Sequence, residues 1–147
     1  MNKKGEIILI EDDRDDQELF KEAYRELGVP NKLTVLDNGF EAYEYFNNAE
    51  KDLFLIISDI NMPRMTGIQL RDKMQQFGET RLRSIPFLFL TTGTAPDNVI
   101  YSYDHSVQGF FLKPSKFDEL KTILRQIIEY WKICTEPTFS NRPPKTL

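Results

Sequence analysis

Polar side chains capable of chemistry follow each of five short apolar runs in this chain. Ligands of open parallel α/β sheets bind beyond the carboxyl ends of the strands, so residues at these points would meet at one edge of such a sheet. In chain order they are Glu11, Asp12 and Asp13; Asp37 and Asn38; Ser58, Asp59 and Asn61; Thr91 and Thr92; and Lys113 and Pro114.

Carboxylates dominate this set, and three or more of them held close together repel one another unless a cation lies among them. An all-oxygen site suits a hard ion, Mg²⁺ above all, which needs one or two carboxylates plus water. A lysine and a threonine hydroxyl nearby supply donors for the oxygens of a phosphoryl group. A carboxylate that faces Mg²⁺ can itself be the nucleophile, which gives an aspartyl phosphate.

The five apolar runs predict the strands that would position these groups. They cover residues 7–10, 33–36, 53–57, 87–90 and 110–112. Most are continuous rather than alternating, which is typical of strands in a parallel sheet covered on both faces.

Amphipathic stretches between the runs predict helices. Leu70, Met74 and Phe77 have helical spacing in the third stretch, and Gly28 and Gly78 end the first and third. Ser115, with Asp118 three residues later, is placed to cap the last. We expect helices near 20–27, 42–46, 70–77, 97–106 and 116–133. Together the predicted strands and helices give five strand–helix repeats, with helices on both faces of one sheet. The periodicity does not give the order of the strands.

Composition places the chain among single-domain proteins of ordinary size. It has 147 residues, 40% of them hydrophobic, and a net charge of −4, which argues mildly against nucleic-acid binding. One cysteine, Cys134, rules out an internal disulfide, and no apolar run is long enough for a signal peptide or a membrane span, so we expect a cytoplasmic protein. We expect one domain at 1–133 and a flexible, proline-containing tail at 134–147.

Four motifs together resemble the response-regulator receiver family of two-component signalling. They are Ile-Leu-Ile-Glu-Asp-Asp at 8–13, Ser-Asp-Ile-Asn-Met-Pro at 58–63 with Gly67, Leu-Thr-Thr at 90–92, and Phe-Phe-Leu-Lys-Pro at 110–114. Each is weak alone, but the four in order are specific, and the resemblance covers about residues 5–133. It implies a flavodoxin-like, doubly wound (βα)5 fold whose five parallel strands have the order 2-1-3-4-5.

The resemblance also implies a role for each matching residue. Asp59 would be the phosphoacceptor, and Thr91 and Lys113 would bind the phosphoryl group while Phe110 changes position. The Mg²⁺ ligands would be Glu11, Asp12, Asp59 and the carbonyl of Asn61, and the secondary residues are Asp13, Thr92 and Pro114.

The implied partners are proteins. They are a histidine kinase or phosphotransfer protein and a downstream target. A further option is homodimerisation through the predicted fourth helix, fifth strand and fifth helix. We expect no binding to nucleic acid or membrane and no separate enzyme substrate. Tyr101, Tyr103 and Trp131 are the aromatic residues of that face.

Three residues depart from the usual pattern of the family. Phe110 has no hydroxyl, so any polar readout of its movement is lost. Thr92 is bulkier than the small residue often found there, and Gly93 has no side chain to orient an attacking water. Lys113–Pro114 resembles the family's usual cis peptide.

Other interpretations compete with this one. A phosphatase with an aspartyl-phosphate intermediate would need an acid where Asn61 stands. A receiver-like interaction module that works without phosphorylation, and a DNA-binding regulator, are further alternatives. Asp15 and Asp16 are expected to be solvated residues of a helix start, and the single histidine, His105, a surface residue.

Overall fold

Parallel strands form the centre of the fold. The computed structural model describes residues 1–48, 51–78, 80–92, 104 and 107–136. Within these ranges one five-stranded sheet has the order β2-β1-β3-β4-β5, and every pair is parallel. This confirms the strand order that the resemblance implied. The strands are β1 (Glu6–Ile10), β2 (Leu33–Leu36), β3 (Leu53–Ser58), β4 (Phe87–Thr91) and β5 (Gly109–Leu112).

Helices flank the sheet, and its three central strands, β1, β3 and β4, are buried almost throughout because both faces are covered. Ile8, Ile56 and Phe89 pack on one face, and Leu9 and Ile57 pack on the other. The described helices are α1 (Arg14–Leu27), α2 (Gly39–Phe46), α3 (Gly67–Phe77), α4 (Thr80–Arg83) and α5 (Phe117–Ile133). Residues of α2 and α3 cover the first face, and those of α1 and α5 cover the second.

Some predictions fall on residues that the structure does not describe. The helix expected at 97–106 is one of them, apart from Asp104, which is helical. Gly93, Tyr101, Tyr103 and His105 also lie outside the described residues, as does the segment 137–147 of the expected tail. Among the described helices, none combines the length and the hydropathy that a membrane-spanning segment needs.

Local capping fixes where the helices begin and end. Asp13 caps α1 by accepting a hydrogen bond from the Asp16 backbone N–H at 2.9 Å, and Gly28 ends this helix in the left-handed conformation at φ 66°. The prediction that Ser115 caps α5 is wrong. That helix begins one residue later than its cap position requires, with Lys116 as the N-cap and no side-chain cap bond.

Two other details differ from the sequence analysis. Phe77, which was taken to mark the apolar stripe of α3, is 70% exposed because it is the last residue before Gly78 ends the helix. The single-turn helix α4 was not predicted, since four residues are too few to show a helical period.

A buried asparagine joins three segments at the amino-terminal edge of the sheet. The Asn31 amide nitrogen donates to the carbonyls of Lys3 at 2.8 Å and Gly5 at 2.7 Å, and its side-chain oxygen accepts from Lys132 Nζ at 2.7 Å. The Tyr24 hydroxyl donates to the Asn31 carbonyl. This side chain therefore ties the end of α5 and the start of the chain to the segment between α1 and β2.

We expect Asn31→Ala to lower the free energy of unfolding by about 1–3 kcal/mol, because the buried Gly5 carbonyl loses the Asn31 donor and the Lys3 carbonyl keeps only Lys132 Nζ. Urea denaturation measures the change. Asn47→Ala, at an exposed position, is the control and should shift stability by less than about 0.5 kcal/mol. Equal effects of the two substitutions would contradict this role for Asn31.

Candidate functional site

Asp59 lies directly after β3 with its carboxylate held by neighbours on both sides. The residue is 7% exposed, and its Oδ1 accepts hydrogen bonds from Thr91 Oγ1 at 2.7 Å and from the Asn61 backbone N–H at 3.2 Å. Thr91 is the last residue of β4, which pairs with β3. Parallel pairing thus brings these carboxyl-terminal groups together, as the positions after the apolar runs predicted.

Lys113 extends this cluster from the end of β5. Among the described residues its Nζ contacts three carboxylates, those of Glu11 at 2.6 Å, Asp16 at 2.8 Å and Asp59 at 3.1 Å. The Lys113 side chain is 12% exposed, and its backbone N–H donates to the Thr91 carbonyl at 2.8 Å. A single cation therefore compensates several acidic groups in a largely desolvated place.

Asp16 is a member of this cluster that the sequence analysis missed. We expected a solvated residue, and that expectation is wrong for Asp16. It is the third residue of α1, and helical side chains point back toward the amino terminus, which directs this one to the sheet edge. Its position three residues after the Asp13 cap is the signal that could have identified it.

Gln17 explains why Asp37 lies close to the cluster. Its amide nitrogen donates to the Glu11 carbonyl at 2.6 Å and to Asp37 Oδ1 at 2.7 Å. These bonds join the first turn of α1 to the ends of β1 and β2.

The pKa values of the cluster move in different directions. Burial, helped by the charge of Asp59, raises the pKa of Glu11 to about 7, although the hydrogen bond from Lys113 opposes it. Burial also acts to raise the pKa of Asp59, but the hydrogen bond from Thr91 and the charge of Lys113 outweigh it and hold this pKa below its ordinary value. Burial acts to lower the pKa of Lys113, and its bonds to Asp16 and Glu11 raise it well above the usual range. At neutral pH Asp59 is therefore ionised and Lys113 protonated.

Three carboxylates form a possible metal site. Glu11, Asp12 and Asp59 each offer an oxygen within 4.8 Å of the others, with Asp12 exposed and the other two buried. This donor set consists of hard oxygen ligands and has one side open to water, which fits a small divalent cation. Asn61 lies two residues after Asp59, in the loop that follows β3.

The remaining predicted residues surround this centre. Phe110 is half-buried and packs edge-on against Phe89, with ring centroids 6.2 Å apart. Thr92 is exposed, and with Pro114 it lines a cavity of about 280 Å³ beside Lys113. The expected cis peptide at Pro114 is wrong, because the described residues contain no cis peptide bond; trans is the intrinsically favoured isomer.

Gly67 is required by the close approach of the backbone to Asp59. A Cβ at this position would lie 2.2 Å from the Asp59 carbonyl oxygen and 2.8 Å from the Phe89 ring. The Gly67 N–H also donates to the Ile60 carbonyl at 2.9 Å. The start of α3 therefore holds the loop that carries Asp59.

Known proteins resemble this chain over most of its length. The family model for the response regulator receiver domain matches residues 7–125. The probable methanogenesis regulatory protein FilR2 of Methanothrix harundinacea is 30% identical over 129 residues, which cover 85% of this chain and 82% of that protein. The family match contains every candidate site residue from Glu11 to Pro114.

Solved structures resemble the fold closely. The crystal structure of the phosphorylated cyanobacterial phytochrome response regulator RcpA gives a TM-score of 0.80 at 28% identity, and that of Mn(2+)-bound response regulator Rcp1 gives 0.78 at 26%. Each comparison covers 91% of this chain and 99% of the other chain.

The raised pKa of Glu11 predicts a loss of stability with rising pH. Between the ordinary value of 4.5 and about 7 the folded chain binds more protons than the unfolded chain, so the free energy of unfolding falls as pH rises. In metal-free buffer we expect a fall of about 3 kcal/mol across this window, measured by urea denaturation. Glu11→Gln should abolish the fall, whereas the exposed control Glu18→Gln should keep it. A slope that persists in Glu11→Gln would assign the titration to another group.

The contact at Gly67 predicts different costs for two glycine substitutions. Gly67→Ala should destabilise the fold by about 1–3 kcal/mol, because the new methyl group must displace the Asp59 backbone. Gly39→Ala is the control, since the three atoms nearest its Cβ would be side-chain atoms of Met65 at 2.9–3.0 Å rather than backbone, and it should cost less. Denaturation measures both, and a larger loss for Gly39→Ala would refute the constraint.

Proposed function

The chain belongs to the response regulator receiver family, and we propose that it accepts a phosphoryl group on Asp59 from a histidine kinase or phosphotransfer protein in a Mg²⁺-dependent reaction. The observation that carries this proposal is the ionised, largely buried Asp59 carboxylate between Thr91 Oγ1 at 2.7 Å and Lys113 Nζ at 3.1 Å. Two further carboxylates, Glu11 and Asp12, lie beside it.

Glu11, Asp12, Asp59 and the backbone carbonyl of Asn61 are the proposed ligands of the cation. When bound, Mg²⁺ would neutralise the negative charge that otherwise keeps a carboxylate and a phosphoryl group apart. The acidic cluster supports this role, because Lys113 alone cannot compensate every carboxylate near it.

The chain's own residues perform the transfer. An Asp59 carboxylate oxygen attacks phosphorus and a P–O bond forms, while the P–N bond of the donor phosphohistidine breaks and its electron pair leaves with the imidazole. Lys113 and the Thr91 hydroxyl donate hydrogen bonds to the phosphoryl oxygens. Hydrolysis reverses the modification: water attacks phosphorus, the P–O bond to Asp59 breaks, and inorganic phosphate leaves.

Movement of Thr91 links this chemistry to a protein-binding surface. Its hydroxyl leaves Asp59 Oδ1 to bond the phosphoryl group, and Phe110 fills the vacated space, turning on its contact with Phe89. Phe110 lies on β5, where Leu112 is 58% exposed, and Tyr130 on α5 is 59% exposed. These apolar side chains favour a downstream protein partner, or a second copy, at the face that includes β5 and α5.

Incubation with acetyl phosphate and Mg²⁺ should add one phosphoryl group to the protein. Intact mass measures the gain over a time course fast enough to capture rapid hydrolysis. Asp59→Asn and removal of Mg²⁺ should each abolish it, because the nucleophile or its charge compensation is lost. Asp118→Asn, an exposed acid in the first turn of α5, is the matched control and should be modified like the wild type.

Two results would overturn the proposal. Failure of the wild type to gain mass at any time would favour a receiver-like interaction module that works without phosphorylation. A gain that persists in Asp59→Asn would move the phosphoacceptor elsewhere.

A further inference from the structure

We infer that Asp16 is a positioning residue that keeps the Lys113 ammonium directed at Asp59 throughout the phosphorylation cycle. The inference rests on the proposed function and adds a residue to it. Its basis is the ion pair of 2.8 Å between Asp16 Oδ2 and Lys113 Nζ, which joins the first turn of α1 to the end of β5.

Asp16 differs chemically from the other two partners of Lys113. Glu11 and Asp59 belong to the group of carboxylates that can hold a metal ion, and Asp16 does not. A cation at that group would compete with Lys113 for the charge of Glu11 and Asp59. Phosphorylation would then convert the Asp59 carboxylate to an acyl phosphate. Neither metal binding nor phosphorylation involves the Asp16 carboxylate. Its ion pair with Lys113 can therefore persist through both.

The first turn of α1 is a rigid base for this contact. The Asp16 backbone N–H donates to Asp13 Oδ1 at 2.9 Å. The next residue, Gln17, is fixed to the Glu11 carbonyl and to Asp37 at the ends of two strands. A side chain held in this way can direct its partner at little further cost in conformational entropy.

Lys113 needs such an anchor because space is available beside it. The cavity of about 280 Å³ that Asp16 and Lys113 both line has apolar walls, which include Leu19 and Pro114. Lysine has a flexible four-carbon stem, so without a partner on this side its ammonium can swing away from Asp59.

Partial exposure of Asp16 weakens its ion pair with Lys113, so that this pair does not prevent Lys113 from binding a phosphoryl group. Its side chain is 37% exposed, whereas that of Glu11 is 2% exposed. Water screens the attraction of the more exposed carboxylate. Lys113 can therefore bind a phosphoryl oxygen while it remains beside Asp16.

The test compares two substitutions that remove the same charge from neighbouring positions. Asp16→Asn removes the partner of Lys113, and Asp15→Asn, exposed in the same helical turn, is the matched control. Each purified chain is phosphorylated with acetyl phosphate over a range of donor and Mg²⁺ concentrations, and urea denaturation checks that it is folded.

For Asp16→Asn we expect the maximal phosphorylation rate to fall about five- to twentyfold, with little change in half-saturation by Mg²⁺. Asp15→Asn should behave like the wild type, and Asp16→Glu, which keeps the charge, should recover part of the rate. In a Lys113→Gln background the additional change of Asp16→Asn should have no effect, because the two residues act as one unit.

Three results would overturn the inference. Equal losses in Asp16→Asn and Asp15→Asn would show a general effect of charge. A change confined to half-saturation by Mg²⁺ would make Asp16 part of the metal site, and an undiminished rate would show that Lys113 needs no such anchor. If the wild type itself is not phosphorylated, the proposed function fails and this inference falls with it. If the wild type is phosphorylated and Asp16→Asn has the same rate, only the inference about Asp16 fails.

Discussion

The ammonium group of Lys113 is the interaction on which the site depends. It contacts the carboxylates of Glu11, Asp16 and Asp59 where water is largely excluded. Ionised carboxylates packed this closely repel one another, and burial penalises each charge further. A cation among them offsets both costs and holds the carboxylate of Asp59 ionised. Burial of Glu11 still outweighs its bond from Lys113 and raises its pKa to about 7.

The sheet makes this concentration of charge possible. Its central strands are apolar on both faces and packed by helices, so their carboxyl ends are held firmly in register. The polar groups directly follow the last residue of a strand, at Glu11, Asp59 and Lys113. Rigid strands can therefore carry a repulsive, partly desolvated cluster that a loose segment would not hold together. Gly67 lets the start of α3 approach the Asp59 backbone closely.

Sequence patterns predicted most of the fold because burial on two faces leaves a continuous apolar run. The runs at 33–36 and 87–90 became β2 and β4 to within one residue. Failures came where a short local signal carried the prediction. Ser115 looked like a helix cap, but α5 starts one residue too late for it. Asp15 and Asp16 looked alike as acids at a helix start, yet the direction of the side chain sends only the second toward Lys113.

The sequence by itself determined which polar groups follow the strands, and with them the acidic and basic chemistry available at the sheet edge. It also determined the parallel α/β class, because continuous apolar runs, typical of strands buried on both faces, alternate along the chain with amphipathic stretches typical of helices. The tertiary structure alone decided that Lys113 lies among three carboxylates, from the loop after β1, from α1 and from the loop after β3. Lys113 is 54 to 102 residues away from these carboxylates along the chain, and no local period encodes their distance from it in space. Their approach depends on strand order and helix direction, which exist only once the sheet has formed.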